Sequence, residues 1–297
     1  MNGILNGVLN LHKPGGVTSR AVVDMVVRPL RGTKVGHAGT LDPLATGVLV
    51  ICVGAATRLI EYVQRMPKTY RTTVLLGARS DTLDADGQMV AMESPHVPSE
   101  PEIRTALATQ VGTIAQIPPQ YSALKVQGRR AYDLARAGDT VELAPRPVVI
   151  SRIEVLAYAW PRLELEIDCG SGTYIRSIAR DVGEALGCGG LVEVLTRTRI
   201  GPFTIEEALD PLELTAGSIS GHLRPALEAV ASLPRLSLSP DQIAAIGQGR
   251  ALTADQFGGA VPAGEVALLG PDGALVAIAE GFAESGRVEP RRVLASS

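Results

Sequence analysis

Strand-like and helix-like apolar segments follow one another along this 297-residue chain without any repeating strand–helix–strand period. That order favours an α+β fold over a doubly wound parallel sheet. Residues Val8 to Leu11 read as a short strand. Thr18 or Ser19 caps a helix with Val22, Val23, Val26, Val27 and Leu30 on its apolar face. Val48 to Val53 is predicted to be a buried strand. Tyr70 to Leu76, which mixes β-branched residues with an aromatic, is predicted to be another. Ser99 and Pro101 open a helix through Ile103, Leu107 and Val111, which Gly112 stops. Val148 to Leu156 pairs with the alternating Leu163, Leu165 and Ile167. Tyr174 leads into a helix bearing Ile175, Ile178, Ala179, Val182 and Leu186 and ending at Gly187. A boundary falls near Ser232-Leu233-Pro234, dividing the chain into 1–232 and 233–297. Beyond it, a helix from Asp241 to Ile246 precedes a hairpin, Val266 to Leu269 and Leu275 to Ile278, turning at Pro271-Asp272-Gly273. These short elements point to a small β-barrel.

Composition narrows the function classes. At 45% hydrophobic and 20% charged residues, the chain can bury a core and does not fit a disordered class. The longest apolar run, Val48 to Ala56, contains Gly54 and is far short of the roughly 20 residues of a membrane span. No basic segment followed by an apolar core opens the sequence, so neither a signal peptide nor a membrane partner is expected, and the expected location is cytoplasmic. Cys52, Cys169 and Cys188 are widely spaced, and His12, His37, His96 and His222 are scattered. This disfavours a zinc ribbon, a disulfide scaffold and a metal site. Walker, GxGxxG, GxSxG and HExxH signatures are absent. Net charge is −3, but residues 1–80 hold ten Lys/Arg against Asp24, Asp42 and Glu61, a basic region of the kind that meets phosphates.

Two loops carry unusual chemistry. Ser80 to Gly87, with Glu93, imitates a calcium loop, but Thr82 occupies its first position and a strand precedes it. An Asp-Gly turn between strands is the expected structure. In Gly36-His-Ala-Gly-Thr-Leu-Asp-Pro-Leu-Ala-Thr-Gly47, Pro43 pushes Asp42 out of the helical region, so its carboxylate can project from a rigid edge. On spacing alone, Asp42 equally caps a short helix beginning at Pro43, and the cap is the favoured reading.

The same loop closely resembles the catalytic loop of the bacterial tRNA pseudouridine-55 synthases. Leu11-His-Lys-Pro-Gly15, Lys68-Thr-Tyr70-Arg, Pro119-Gln-Tyr-Ser-Ala-Leu-Lys125, Gly128 to Ala135, Gly170 to Gly183 and Leu195-Thr-Arg-Thr resemble that family's other motifs in order. The tail with Gly286-Arg-Val-Glu-Pro-Arg-Arg292 is similar to PUA domains. The resemblance implies an α+β pseudouridine synthase fold: a mixed, largely antiparallel central sheet with flanking helices in a catalytic domain over 1–232. An inserted RNA-clamping segment at 121–146 and a PUA-like barrel over 233–297 complete it.

It further implies isomerisation of uridine 55 in the T-loop of tRNA. Uracil leaves C1′, turns, and rejoins through C5; no atoms are gained, so no cofactor is required. Asp42 matches the catalytic carboxylate, whether it attacks the sugar, attacks the base or deprotonates C2′. Arg176 matches the arginine that keeps it ionised by lowering its pKa. Tyr70 matches the aromatic that stacks on a flipped base, a contact of about 1–3 kcal/mol against an unstacking cost of a few. Tyr174 and Leu195, which look like core residues, match the lining of the uracil pocket. His37 matches a T-loop contact, and Lys13 a support of the catalytic loop. Phosphates would meet the basic region, with shape and splayed bases setting specificity. The expected partner is the tRNA T stem-loop, met by a monomer without guide RNA or protein partner; help with tRNA folding can coexist with catalysis. Rival readings fit less well. A non-catalytic RNA-binding protein has no need of Asp42, Tyr70 and Arg176 together. A guide-dependent synthase departs from the motifs, and a uracil methyltransferase needs a cysteine nucleophile and a methyl-donor site.

Overall fold

The structure is a computed structural model describing residues 5–30, 32–122, 125–126, 129–130, 143–215, 217–257 and 260–294, with 125–126 and 129–130 described in backbone only. In chain order the strands are β1 (Gly7–Lys13), β2 (Val35–His37), β3 (Thr46–Val53), β4 (Lys68–Leu76), β5 (Ala78–Ser80), β6 (Met89–Ala91), β7 (Gly112–Gln116), β8 (Lys125–Val126), β9 (Arg129–Arg130), β10 (Arg146–Ala159), β11 (Arg162–Cys169), β12 (Gly190–Ile200), β13 (Phe203–Thr204), β14 (Arg235–Ser237), β15 (Leu252–Thr253), β16 (Gly264–Leu269), β17 (Leu275–Phe282) and β18 (Arg287–Val293). The helices are α1 (Ser19–Val27), α2 (Ile60–Arg65), α3 (Glu100–Ala108), α4 (Ile175–Ala185), α5 (Ile219–His222) and α6 (Pro240–Gly247).

A nine-stranded sheet in the order β1-β3-β12-β4-β11-β10-β7, with β2 on β3 and β13 on β12, forms the larger part. Its pairings are antiparallel except β3 with β12. The continuous apolar run of β3 is explained by burial on both faces, as in parallel sheet interiors. Val48, Val50 and Cys52 enter one cluster, and Leu49, Ile51 and Val53 enter another. Helix α1, capped by the Thr18 hydroxyl accepting from the Ala21 amide, covers the second cluster with Val22, Val23 and Val26. Helix α4 turns Ile175, Ile178, Ala179 and Val182 onto the face of the sheet that carries Tyr70, Val74 and Leu165. Helix α3 is shorter than its apolar pattern suggests. It ends at Ala108, and Gly112, at φ +106°, opens β7 rather than stopping a helix.

The second sheet, β14-β16-β17-β18-β15, begins at Arg235 and contains the expected β16–β17 hairpin. It has its own apolar cluster around Leu238, Ile246, Val266 and Val288. It is tied to the larger sheet's side of the molecule by Arg292 to Glu61, by the Tyr62 hydroxyl donating to Glu265, by Arg65 lying 3.5 Å from the Glu265 carboxylate, and by Arg292 lying 5.2 Å from the Tyr62 ring centre. The structure thus has the expected α+β character and a half-barrel sheet at its C-terminal end.

Candidate active site

The parallel contact between β3 and β12 is what assembles the site. Thr46 and Gly47 lie opposite Thr196 and Arg197 in register, so the loop preceding β3 arrives beside the middle of β12. Gly47 is required there. Its φ is +99°, and a Cβ would lie 2.2 Å from the Arg197 carbonyl oxygen. Antiparallel β4 lies on the other side of β12 and sets Tyr70 opposite Arg197. Side chains two apart on a strand share a face, so Lys68 and Tyr70 project together, as do Leu195 and Arg197.

The loop bearing Asp42 is held from below. Lys13 is fully buried, and its ammonium donates to the carbonyls of Pro14, Val17 and Pro43 at 2.8, 2.6 and 3.1 Å. The Ser19 hydroxyl accepts from the Leu41 amide at 2.8 Å, and the Gly16 amide donates to Pro43 O at 2.9 Å. No helix begins at Pro43; the loop makes only a turn, with the Ala45 amide donating to Asp42 O. The capping role favoured on spacing alone is therefore replaced by a projecting carboxylate.

Asp42 Oδ2 lies 2.9 Å from Arg176 Nε, with a third of the aspartate side chain open to the cleft and Arg176 almost wholly buried. Arg176 reaches this position from the first turn of α4. Its other nitrogens donate to Thr82 O at 2.8 Å and Tyr121 O at 2.9 Å, and Nη1 lies 3.3 Å from Asp84 Oδ2. Asp84 belongs to the loop that imitates a calcium site. The loop does join paired strands β5 and β6, as an Asp-Gly turn would. Its middle, however, bridges to Val192 on β12 and carries the buried Asp84 inward. Among the described residues no cluster of His, Cys, Asp or Glu is arranged to hold a metal ion.

A cavity of about 280 Å³ opens at Asp42, lined by Tyr70, Tyr174, Arg176 and Leu195, with Lys68 and Arg197 also in its wall. Leu195 is 6% exposed, as its core-like look in the sequence suggests, whereas Tyr174 is only half-buried; Tyr70 is 7% exposed. The Arg146 guanidinium lies 4.9 Å from the centre of the Tyr174 ring. Five of the seven expected site residues thus meet in one cavity. Lys13 and His37 do not line it: Lys13 sits under the loop, and His37 lies on β2 opposite Ile51. Asp84, Lys68 and Arg197 lie within motifs visible in the sequence but are not among the expected site residues.

The electrostatics differ from expectation in one respect. Burial raises the Asp42 carboxyl above the ordinary aspartate range, and Arg176, although it opposes this, does not reverse it. Burial also raises the Tyr70 phenol, lowers His37, and lowers Lys13 to about 8. A group whose folded pKa is raised favours folding below its unfolded pKa, and that contribution is lost as pH rises through the folded value. Ionised Asp42 is therefore held against the stability of the fold. If the ionised form is the working one, single-turnover rates are expected to fall, as pH is lowered, at a value above the ordinary aspartate range. A pH–rate profile that stays flat down to that range would contradict this.

The sequence pattern of the TruB family pseudouridylate synthases matches this chain over residues 27–175 for the N-terminal domain, and the tRNA pseudouridylate synthase B C-terminal domain matches over 176–229. A relative from Aromatoleum aromaticum, named tRNA pseudouridine synthase B, is 46% identical over 84% of this chain and 82% of its own length. One from Cereibacter sphaeroides with the same name is 42% identical over 97% of this chain and 96% of its own. Among solved structures, a Cbf5-Nop10-Gar1 complex contains a similar chain, with a TM-score of 0.76 and 26% identity, covering 97% of this chain and 85% of that one. With both family patterns adjoining in order and such relatives matching most of its length, the chain belongs to the TruB family of pseudouridylate synthases.

Proposed function

We propose that the protein converts uridine 55 in the T-loop of tRNA to pseudouridine, with Asp42 as the catalytic carboxylate and the target base flipped into the cavity beside it. The observation that carries this reading is the Asp42–Arg176 ion pair at a cavity walled by Tyr70, Tyr174 and Leu195. A flipped uracil needs aromatic and aliphatic walls to replace its stack, and Tyr70 and Leu195 supply them. Breaking C1′–N1 needs a carboxylate close to the sugar in surroundings poor in water, and Asp42 is such a group. The names of the relatives support tRNA as the substrate.

Lys13 acts in this reading through the loop carbonyl at Pro43, and His37, on the neighbouring strand, meets the T-loop outside the cavity. Residues 1–232 form the catalytic domain and 233–297 a PUA-like domain that adds to tRNA contact and assists folding of the RNA. The clamping role proposed for 121–146 falls largely on 123–124, 127–128 and 131–142, which lie outside the described residues. The enzyme acts as a monomer without guide RNA or partner protein. Purified protein alone, with no added cofactor, is expected to release tritium to water from a T stem-loop RNA labelled at C5 of the target uridine. Tight binding without release would overturn the catalytic reading.

A further inference from the structure

Two buried cations in the cavity wall have no carboxylate among the described residues to neutralise them. Arg197 is 1% exposed and Lys68 is 7% exposed. Arg197 donates to the carbonyls of Val48 and Gly39 at 2.8 and 3.1 Å, and Lys68 to those of Gln64 and Met66 at 2.7 and 2.6 Å. Among the described residues, neither makes an ion pair; the cavity's own carboxylate, Asp42, is committed to Arg176. Arg197 faces Tyr70 across the β4–β12 ladder, and Lys68 projects from the same face of β4. The two charges also oppose each other: burial first and then Arg197 bring the Lys68 ammonium down to about 8.

Unpaired buried charge is costly, and main-chain carbonyls offset only part of that cost. Such an arrangement is expected where negative charge arrives during a reaction, because fixed charges in a water-poor site then act without reorganising. Uridine is neutral when it enters. It becomes negative if C1′–N1 breaks with the bonding pair passing to the base.

We propose that Lys68 and Arg197 form a cationic lining that holds the detached uracil as an anion between cleavage and rejoining. The proposal rests on the isomerase reading above. C1′–N1 breaks, its electron pair goes to the base, and the sugar carbon is left electron-poor beside Asp42. The base turns within the cavity. C5 of the anion then supplies the pair for the new C1′–C5 bond, the C5 hydrogen leaves to water as a proton, and N1 takes one up. A hydrogen bond aimed at one atom of the base is broken when the base turns. Coulombic attraction to two nearby cations persists, because it depends on distance rather than on which atom faces them.

The test uses T stem-loop RNAs carrying uridine or 5-fluorouridine at the target, with single-turnover consumption of the target nucleoside and RNA binding both measured. Lys68→Gln keeps N–H donors for the Gln64 and Met66 carbonyls but removes the charge; Lys68→Arg keeps the charge. Lys68→Gln is expected to slow uridine turnover about 100-fold with RNA affinity within about twofold, the size of effect seen when one preorganised charge-stabilising donor is lost. The deficit is expected to be several-fold smaller on 5-fluorouridine, because fluorine takes up part of the charge on the base, and Lys68→Arg is expected to retain most activity. Equal deficits on both RNAs, or a loss confined to binding, would overturn the proposal. Arg197→Gln is read in the same way if melting shows that Lys68→Gln does not fold. Wild-type protein that turns over neither RNA would defeat the isomerase reading itself, a result distinct from a variant that fails the comparison.

Discussion

Asp42→Asn is expected to lower pseudouridine formation by about four orders of magnitude or more, as loss of a reacting group does when no neighbour can substitute for it. Asparagine has nearly the same shape, so the turn from Asp42 to Ala45 and the Lys13 and Ser19 contacts beneath it stay intact. Arg176 keeps Asp84 as a counter-charge. The lost property is the negative charge, and the raised carboxyl shows that this charge is held at a cost to the fold. Three readings of one variant therefore separate the roles. Tritium release is expected to vanish, affinity for the stem-loop RNA to persist, and the melting temperature to stay level or rise. Full turnover with normal binding would remove Asp42 from the mechanism. A fall in both turnover and melting temperature would make it a structural residue instead.

What the sequence made legible divides along physical lines. Elements set by local periodicity are readable: β3 as an unbroken apolar run, α1 by helical spacing and its Thr18 cap although it ends at Val27 and not at Leu30, α4 by helical spacing and the glycine that follows it, and the β16–β17 hairpin by its Pro-Asp-Gly turn. The Asp42 loop is conspicuous because glycine and proline constrain backbone in ways visible without neighbours. Its outcome, a carboxylate projecting into the cleft rather than a helix cap, depends on Arg176 arriving from another element 134 positions along the chain and on the parallel β3–β12 contact. Neither leaves a local trace. The inward placement of Asp84 leaves no local trace for the same reason. An Asp-Gly loop between strands is an adequate account until Val192 and Arg176 draw its middle inward. Arg197 and Lys68 did leave a usable sign. Each stands two residues from a residue already assigned to the pocket, Leu195 or Tyr70, and period two on a strand puts both members of such a pair on one face. The direction of the Asp42 shift was unreadable, since it depends on how far burial outweighs a single ion pair.

Arg176→Met tests whether that ion pair serves the fold, the reaction or both. The guanidinium lies between two carboxylates and also donates to the carbonyls of Thr82 and Tyr121, joining the Asp42 loop, the Asp84 loop and α4. Methionine fills much of the same volume but leaves Asp84, 6% exposed at its side chain, without its cation. Stranding a buried charge typically costs about 3–5 kcal/mol. At about 2–4 °C per kcal/mol for chains approaching this size, that is a fall in melting temperature of roughly 10 °C. Turnover is expected to drop at least about 100-fold even at temperatures where the variant is folded, because Asp42 loses both its orientation and the largest influence opposing the rise of its pKa. Adding Asp84→Asn separates the two losses. It removes the stranded charge, so most of the stability is expected to return, while activity stays low because Asp42 is still unpaired. If the double variant melts no higher than Arg176→Met alone, the stability resides in the carbonyl contacts to Thr82 and Tyr121 and not in the charge of Asp84. If activity returns with stability, Arg176 acts on catalysis only by keeping the site folded.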